Sequence, residues 1–336
     1  MGRVTLQDVA QRAGVSMKSV SNVVREYEHV SPALRLRVQA AIDELGYRPD
    51  SRARSLATGR SRMFAFAFPD LRRPYFAELA HVFSRVSAER GYRLLLEETG
   101  GTTEGERGVL LERESGIVDG AIMQPQAVGS AELDRLGRDT PLVFLGEGPQ
   151  PPDADQVMID NVAAAKDAVA HLVALGRRRI GFLGSEVDTL SRTSVLRLEG
   201  YRLGLEQAGL PYDPALIVPR ELDAATGAEL ALSQALAEGF ECDALLCRDD
   251  LAAIGALRAL RLRGLDVPGD VAIVGWDASE IGLNLVPTLT SVAPDTVALA
   301  ERALDMLIER IDGLTGPGRH ATVGYTLRIG ESAPLA

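Results

Sequence analysis

The sequence predicts an all-α N-terminal unit followed by an α/β core of two doubly wound lobes with mostly parallel sheets. Before residue 50, apolar residues recur every three or four positions in three short segments, as in amphipathic helices. From Arg62 onward, short apolar runs alternate with amphipathic stretches, which is typical of βαβ units. A chain of 336 residues is long enough for two or three such units.

The composition, 46% hydrophobic and 25% charged, is that of a soluble globular protein. No apolar run is long enough to span a membrane, and the N-terminus lacks the apolar core of a signal peptide, so we expect a cytoplasmic protein. The sequence contains no recognisable cofactor loop, metal-ligand cluster or paired nucleophile and base. We therefore expect no cofactor, no metal and no enzymatic activity.

Charge is distributed unevenly along the chain. The first 60 residues contain ten basic and six acidic side chains, whereas the whole chain has a net charge of -11. A basic segment on an acidic body is typical of a protein that docks on nucleic acid through that segment. Ordinary fluctuation of charge is the alternative explanation.

The N-terminal segment has the signals of a helix-turn-helix. Thr5 and Asp8 form a potential capping box, Gly14 supplies a turn, and Ser16 can cap the next helix. Ser31 followed by proline starts a third helix. Two helices joined by a short glycine-containing turn define this motif, although many small helical domains share such a pattern.

Several exact runs make the pattern more specific. They are Val4-Thr5-Leu6-Gln7-Asp8-Val9-Ala10, Ala13-Gly14-Val15-Ser16, Ser19-Val20-Ser21, Val30-Ser31, Leu45-Gly46-Tyr47-Arg48-Pro49 and Ala53-Arg54-Ser55-Leu56-Ala57. With them the segment resembles the lactose-repressor (LacI/GalR) family of transcriptional regulators, and the rest of the chain resembles it less densely.

The resemblance implies three parts. Residues 1–49 are the helix-turn-helix domain, residues 50–60 a hinge helix or linker, and residues 61–336 a periplasmic-binding-protein-like core for effector binding and dimerisation. Within the core, residues 61–161 and 291–322 are expected in the N-lobe, and residues 162–290 and 323–336 in the C-lobe.

The family's second helix lies in the major groove, and its exposed positions read base edges. Lys18 can donate to guanine, Asn22 can pair with adenine, and Met17 can contact a thymine methyl group. Asn22 replaces the arginine common in the family, so contact with phosphate or water only is the alternative for this residue. The full expected DNA-binding set in this domain is Thr5, Ser16, Met17, Lys18, Ser21, Asn22 and Ser31.

The hinge segment completes the expected DNA-binding surface. By resemblance it forms a helix when two subunits bind DNA, and it inserts Leu56 between base steps while Arg52 and Arg54 contact the minor groove. A plain linker with Leu56 against the core is the alternative.

Effector-binding residues are expected directly after the strands, because ligands of doubly wound folds bind beyond the carboxyl ends of parallel strands. The resemblance implies related residues at the effector cleft, although Asp249 replaces an asparagine and Trp276 a phenylalanine. A capping or surface role is the alternative for these residues, above all for Asp70, Gln124 and Asp160. The set is Asp70, Tyr75, Phe76, Gln124, Asp160, Arg197, Asp249, Trp276 and Asp277.

Carboxylates and an arginine can bind paired hydroxyl groups, and Trp276 can stack on a sugar ring, so a sugar is the leading effector hypothesis. A purine or nucleoside between Phe76 and Trp276 is the alternative. The expected partners are a pseudo-palindromic DNA operator, this effector and a second copy of the chain, with no membrane. An enzyme on a similar scaffold or a non-regulatory sugar-binding protein would not need the N-terminal domain.

We expect Leu56→Ala to weaken operator binding, because the substitution removes the apolar wedge that stabilises kinked DNA. Effector affinity of the DNA-free protein should stay nearly unchanged. Gel-shift titration and calorimetry measure the two affinities separately. An equal loss of both would contradict the expected division of roles.

Overall fold

The computed structural model describes residues 4–24, 27, 29–47, 59–114, 116–129, 141–148, 154–187, 191–220 and 224–335. The chain folds into two units, Met1–Arg62 and Met63–Ala336. The expected hinge helix, with Arg52, Arg54 and Leu56, lies outside the described residues. No described helix has the length and apolarity needed to cross a bilayer.

The N-terminal unit contains the three expected helices: α1 (Leu6–Ala13), α2 (Met17–Val24) and α3 (Pro32–Leu45). Their apolar faces pack into one small core of valines and alanines that includes Val9, Val20 and Val38, each fully buried. Gly14 ends α1 with φ 63°, a left-handed conformation that glycine adopts without a Cβ penalty. The turn therefore brings α2 back across α1, as the helix-turn-helix prediction required.

The core unit contains two six-stranded sheets. The strands of the first sheet, in spatial order, are β11 (His320–Val323), β5 (Asp155–Ile159), β4 (Leu142–Leu145), β3 (Gly120–Met123), β1 (Met63–Phe68) and β2 (Arg93–Glu98). All their pairings are parallel. The described helices of this lobe are α4 (Pro74–Glu89), α5 (Thr103–Glu114) and α10 (Thr296–Ile311).

The strands of the second sheet, in spatial order, are β12 (Tyr325–Arg328), β10 (Thr290–Pro294), β9 (Ala272–Trp276), β8 (Ala244–Cys247), β6 (Ile180–Leu183) and β7 (Ile217–Val218). Among the described strands of this sheet, only β12 is antiparallel to its neighbour. The helices of this lobe are α6 (Asn161–Ala174), α7 (Arg192–Gln207), α8 (Ala225–Ala237) and α9 (Asp250–Leu262). Mostly parallel sheets in two lobes confirm the predicted fold class.

The chain passes between the lobes three times, and two passages differ from the expectation. The expected boundary at residue 291 is too early, because β10 belongs to the second sheet and the return to the first lobe follows Pro294. The expected boundary between residues 322 and 323 is also early, because Val323 still belongs to β11. The chain changes lobes at Gly324, between β11 and β12, which lie in different sheets.

Two glycines let α7 approach α6 closely. A Cβ at Gly200 would lie 2.4 Å from the Val162 carbonyl oxygen, and one at Gly204 would lie 2.8 Å from the Val169 Cβ. Any side chain at these positions would push the helices apart. The close packing fixes α7, and with it Arg197, against the start of α6.

Asp155 at the start of β5 holds the first lobe together at that end of the sheet. Its carboxylate, which is fully buried, accepts hydrogen bonds from the guanidinium groups of Arg310 (2.8 and 2.9 Å) and Arg319 (2.6 Å). Burial alone would raise the pKa of Asp155, but these hydrogen bonds lower it from 3.8 to about 2. The carboxylate thereby links β5 to α10 and to the approach of β11.

We expect Asp155→Asn to lower the free energy of unfolding at neutral pH by about 2–4 kcal/mol, because two arginines lose their buried partner. Since the folded pKa is below the ordinary value, this stabilisation is present above about pH 4 and is lost as the pH falls towards 2. Denaturant titrations at several pH values measure it.

The matched control is Asp305→Asn, which breaks the pair between Arg90 and Asp305. The Asp305 side chain is 47% exposed, so we expect a loss of less than about 1 kcal/mol. Equal losses for the two variants, or no pH dependence of the Asp155 effect, would contradict the structural role of the buried carboxylate.

Candidate DNA-reading surface and effector cleft

Helix α2 turns the expected base-reading residues away from the core. Val20 and Val23 face inward, whereas Lys18 is exposed and Met17 is 50% exposed. Ser21 and Asn22 are half-buried. This exposed surface at the start of α2 has the donors and the apolar group that readout of base edges needs.

Three other expected DNA-binding residues cap helices. Thr5 accepts from the Asp8 backbone (3.3 Å) and donates its own backbone N–H to the Asp8 carboxylate (2.8 Å). Ser16 accepts from the Ser19 backbone at 3.1 Å, and Ser31 from the Leu34 backbone at 3.4 Å. Their hydroxyls therefore define the helix starts, and a phosphate contact would be additional.

A cavity of about 540 Å³ lies between the two lobes of the core unit. Five residues predicted for the effector site line it: Tyr75, Phe76, Gln124, Arg197 and Asp277. They come from β1–α4 and β3 in the first lobe, and from α7 and β9 in the second. The carboxyl ends of both sheets thus meet at one cleft, as the rule for doubly wound folds predicts.

Two predicted residues have capping or surface roles instead. Asp70 forms an ion pair with the exposed Arg72 (2.8 Å) and does not line the cavity. Asp160 accepts from the Ala163 backbone at 2.9 Å and caps α6. Assigning these two carboxylates to the effector site was wrong for this structure, and the alternative roles stated for them apply.

Asp249 is buried behind the cavity wall. Its carboxylate accepts from Arg220 (2.6 Å), Arg248 (2.9 Å), Arg73 (3.4 Å) and the Ala252 backbone (2.8 Å). Burial alone would raise its pKa, but Arg220, Arg248 and Arg73 hold it well below the ordinary range. Because Arg73 comes from the first lobe, Asp249 links the two lobes. Asp249 does not line the 540 Å³ cavity.

Trp276 also does not line the cavity. It is fully buried, and the Arg197 guanidinium covers its ring, with Cζ 4.0 Å from the ring centroid. Phe76 is only 2% exposed and stacks on Phe68 at 5.9 Å. The expectation that Trp276 stacks on a ligand, alone or opposite Phe76, is therefore wrong for this structure. Tyr75 is the half-buried aromatic side chain at the cavity.

Arg197 is held on several sides. Its Nε donates to the Asn161 side-chain oxygen at 2.8 Å, and Nη1 donates to the Arg248 carbonyl. Among the described residues none accepts from Nη2. Burial lowers the pKa of Arg197 to about 10, so the guanidinium remains charged at neutral pH.

Asp277 reaches the cavity through an unusual turn after β9. Its φ is 97° and that of Ala278 is 51°, both in the left-handed region that non-glycine residues rarely adopt. The Ala278 carbonyl accepts from Arg328 at 2.7 Å, which secures this turn. Burial raises the pKa of Asp277 to about 8, although Arg197 opposes the shift.

Several cavity-lining residues, above all Glu147, are absent from the set expected from the sequence. Its carboxylate accepts from Asn161, and from the Thr193 hydroxyl at 3.0 Å. Burial raises its pKa, although Arg197 opposes the shift. Glu147 lies just after β4 and Arg248 just after β8, so the rule applied to the other strands would have found both.

Comparison with known proteins gives two matching family models. The model for bacterial regulatory proteins of the lacI family matches residues 5–50, and that for a periplasmic binding protein-like domain matches residues 169–333. The HTH-type transcriptional regulator GntR of Escherichia coli (strain K12) is 32% identical over 98% of each chain.

Two solved structures are similar over nearly the whole chain. A complex of the transcriptional regulator CelR with cellobiose is 29% identical, covers 98% of this chain and 100% of its own, and has a TM-score of 0.71. The lac repressor dimer bound to operator and the anti-inducer ONPF is 27% identical, covers 99% and 100%, and has a TM-score of 0.86.

We expect Lys18→Ala and Asn22→Ala each to weaken binding to the DNA upstream of the gene by about 5- to 100-fold, because each removes a base-edge contact. Gel shifts against random DNA at the same salt concentration separate specific from general binding. Gln39→Ala removes an exposed amide on α3 and is the control. Equal weakening on both DNAs would assign the two side chains to phosphate contact only.

Proposed function

The chain belongs to the lacI family of bacterial regulatory proteins and is a DNA-binding transcriptional regulator, and we propose that a sugar bound in its interlobe cleft controls operator binding. One observation carries the proposal. The cavity offers hydrogen-bond acceptors and a fixed cationic donor together, from both lobes. We further propose repression as a homodimer on a pseudo-palindromic operator, which the similar lac repressor dimer bound to operator supports.

The polar groups of the cavity suit hydroxyl groups, which both donate and accept hydrogen bonds. Gln124 Oε1 is buried and accepts no hydrogen bond from any described residue. Asp277 and Glu147 supply further acceptors, and the Nη2 group of Arg197 supplies a donor. A polyhydroxylated ring would satisfy these groups at once, and Tyr75 offers it an aromatic neighbour.

A purine or nucleoside is the second candidate. Readout of a flat base would favour two opposed aromatic faces, but Phe76 and Trp276 are buried against other side chains. The similar CelR structure is a complex with cellobiose, which supports the sugar class. We therefore rank a sugar first.

Control of DNA binding follows from contacts that cross the cleft. Asp249 bonds Arg73 across it, Thr193 bonds Glu147, and the Glu280 backbone donates to Glu78 at 2.8 Å. The two lobes can adopt different relative arrangements. A ligand that contacts both lobes and binds one arrangement more tightly than another shifts the equilibrium towards the first, by the difference between its two binding free energies. The operator must then alter effector affinity by the same factor.

We expect at least one member of a panel of mono- and disaccharides, including cellobiose, to raise the unfolding temperature. A ligand present at 100 times its Kd adds about 2.7 kcal/mol of stability. Purine nucleosides form the second arm of the panel. A shift with nucleosides and none with any sugar would overturn the sugar assignment.

Two variants test the site. Arg197→Ala and Asp277→Asn should both abolish or strongly reduce the sugar-induced shift, whereas Arg202→Ala, on the outer part of α7, should not.

The folded pKa of Asp277 is above its ordinary 3.8, so wild-type stability is lost as the pH rises from about 4 through 8. Asp277→Asn cannot ionise and should therefore gain relative stability over that range.

If Asp277→Asn binds sugar poorly but unfolds at a higher temperature than the wild-type protein at pH 8, misfolding does not explain the loss of sugar binding. If Asp277→Asn retains wild-type sugar affinity, the carboxylate is not part of the effector site. If Arg202→Ala matches the loss of Arg197→Ala, the assignment of the cavity fails.

A further inference from the structure

Trp276 is the one tryptophan of the chain, and the proposed effector site gives it no direct role. The ring is fully buried at the end of β9, immediately before the cavity residue Asp277. Its indole Nε1 donates no hydrogen bond to any described residue. The ring packs in the core of the second lobe, and one of its faces also meets a cation.

That face is occupied by Arg197, whose Cζ lies 4.0 Å from the ring centroid. A guanidinium stacks on tryptophan more favourably than on other aromatic rings, and more strongly when both groups are removed from water. This contact restricts the movement of the guanidinium on the side of the ring. The bonds to Asn161 and to the Arg248 carbonyl then fix its rotation.

We propose that Trp276 is a positioning residue that sets effector affinity by holding the Arg197 guanidinium so that Nη2 is directed to the ligand. This inference rests on the proposed function, because it assumes that a ligand occupies the cavity. A long arginine side chain loses conformational freedom when it binds, and a stack that orders it beforehand reduces that loss. Phenylalanine would preserve an aromatic surface but with a weaker attraction for the cation.

The first test uses ligand-free protein and the emission of the single tryptophan. We expect Arg197→Met to change the intensity and position of Trp276 emission, because a charge 4.0 Å from the indole is removed. Arg197→Lys keeps a charge but not a planar group, and it should give a distinct third spectrum. Unchanged emission in both variants would overturn the stack.

A matched control lies on the same helix. Arg202 covers the ring of Tyr212 with Cζ 4.3 Å from its centroid, outside the cavity. Arg202→Met removes an equivalent cation from α7 and should leave Trp276 emission unchanged. If it alters the emission as much as Arg197→Met does, the change reports a general disturbance of α7 and counts against the proposal.

The second test is a double-mutant cycle on affinity, measured by calorimetry with the panel sugar that gives the largest thermal shift. We expect Trp276→Phe to weaken binding about three- to tenfold in the wild-type background. The second background is Arg197→Lys, which keeps a cation, and so measurable binding, but has no Nη2 group; there Trp276→Phe should have little further effect, because the group that Trp276 positions is gone. An equal loss in both backgrounds would show that the indole acts through packing alone.

The outcomes separate this inference from the proposed function. If no sugar binds the wild-type protein, the proposed function fails, and the emission spectra alone decide whether Trp276 holds Arg197. If a sugar binds and Trp276→Phe leaves its affinity unchanged, the proposed function stands and the positioning role is overturned.

Discussion

The core unit depends on the burial of one charge, the carboxylate of Asp249. An isolated ionised group in a protein interior is unstable, so Asp249 is stable only because three guanidinium groups and a backbone amide surround it. Those partners come from different parts of the fold. Arg248 adjoins it at the end of β8, Arg220 follows β7, and Arg73 precedes the first helix of the other lobe.

The same arrangement explains why the neighbouring groups have fixed positions. The charge on Asp249 holds the Arg248 side chain, and the Arg248 carbonyl then accepts from Arg197. Arg197 also bonds Asn161, which donates to Glu147 of the first lobe. A continuous chain of hydrogen bonds thus runs from the buried aspartate, along the cavity wall and across to the other lobe. Removing one member would weaken the hold on the next, which couples the polar groups of the cleft to one another.

The sequence predicted the fold well because its signals are local. The Thr5–Asp8 capping box, Gly14 and the apolar runs of the strands each depend on residues a few positions apart. The rule that ligands bind at the carboxyl ends of parallel strands pointed to Asp277, and the family resemblance pointed to Arg197; both line the cavity. The general location of the site could therefore be inferred before any coordinates.

The roles of individual side chains could not be inferred in this way, because they depend on partners far away in sequence. Asp249 meets Arg73 from 176 positions away, and nothing local distinguishes it from a ligand-binding carboxylate. Asp70 and Asp160 bond within three residues, so their capping and pairing roles were among the alternatives. The position of Asp277 depends on the left-handed turn at Asp277 and Ala278, which the sequence does not indicate because neither residue is glycine.

That left-handed turn also bears on the energetics of the site. Two consecutive non-glycine residues in an unfavourable conformation, and a carboxyl group whose burial raises its pKa to about 8, both cost stability in the ligand-free protein. A ligand hydroxyl that donates to Asp277 would favour its ionised form and offset part of the cost of burial. Under the proposed function this strain acts as pre-organisation, in which the folded core holds Asp277 and Arg197 in place before an effector binds.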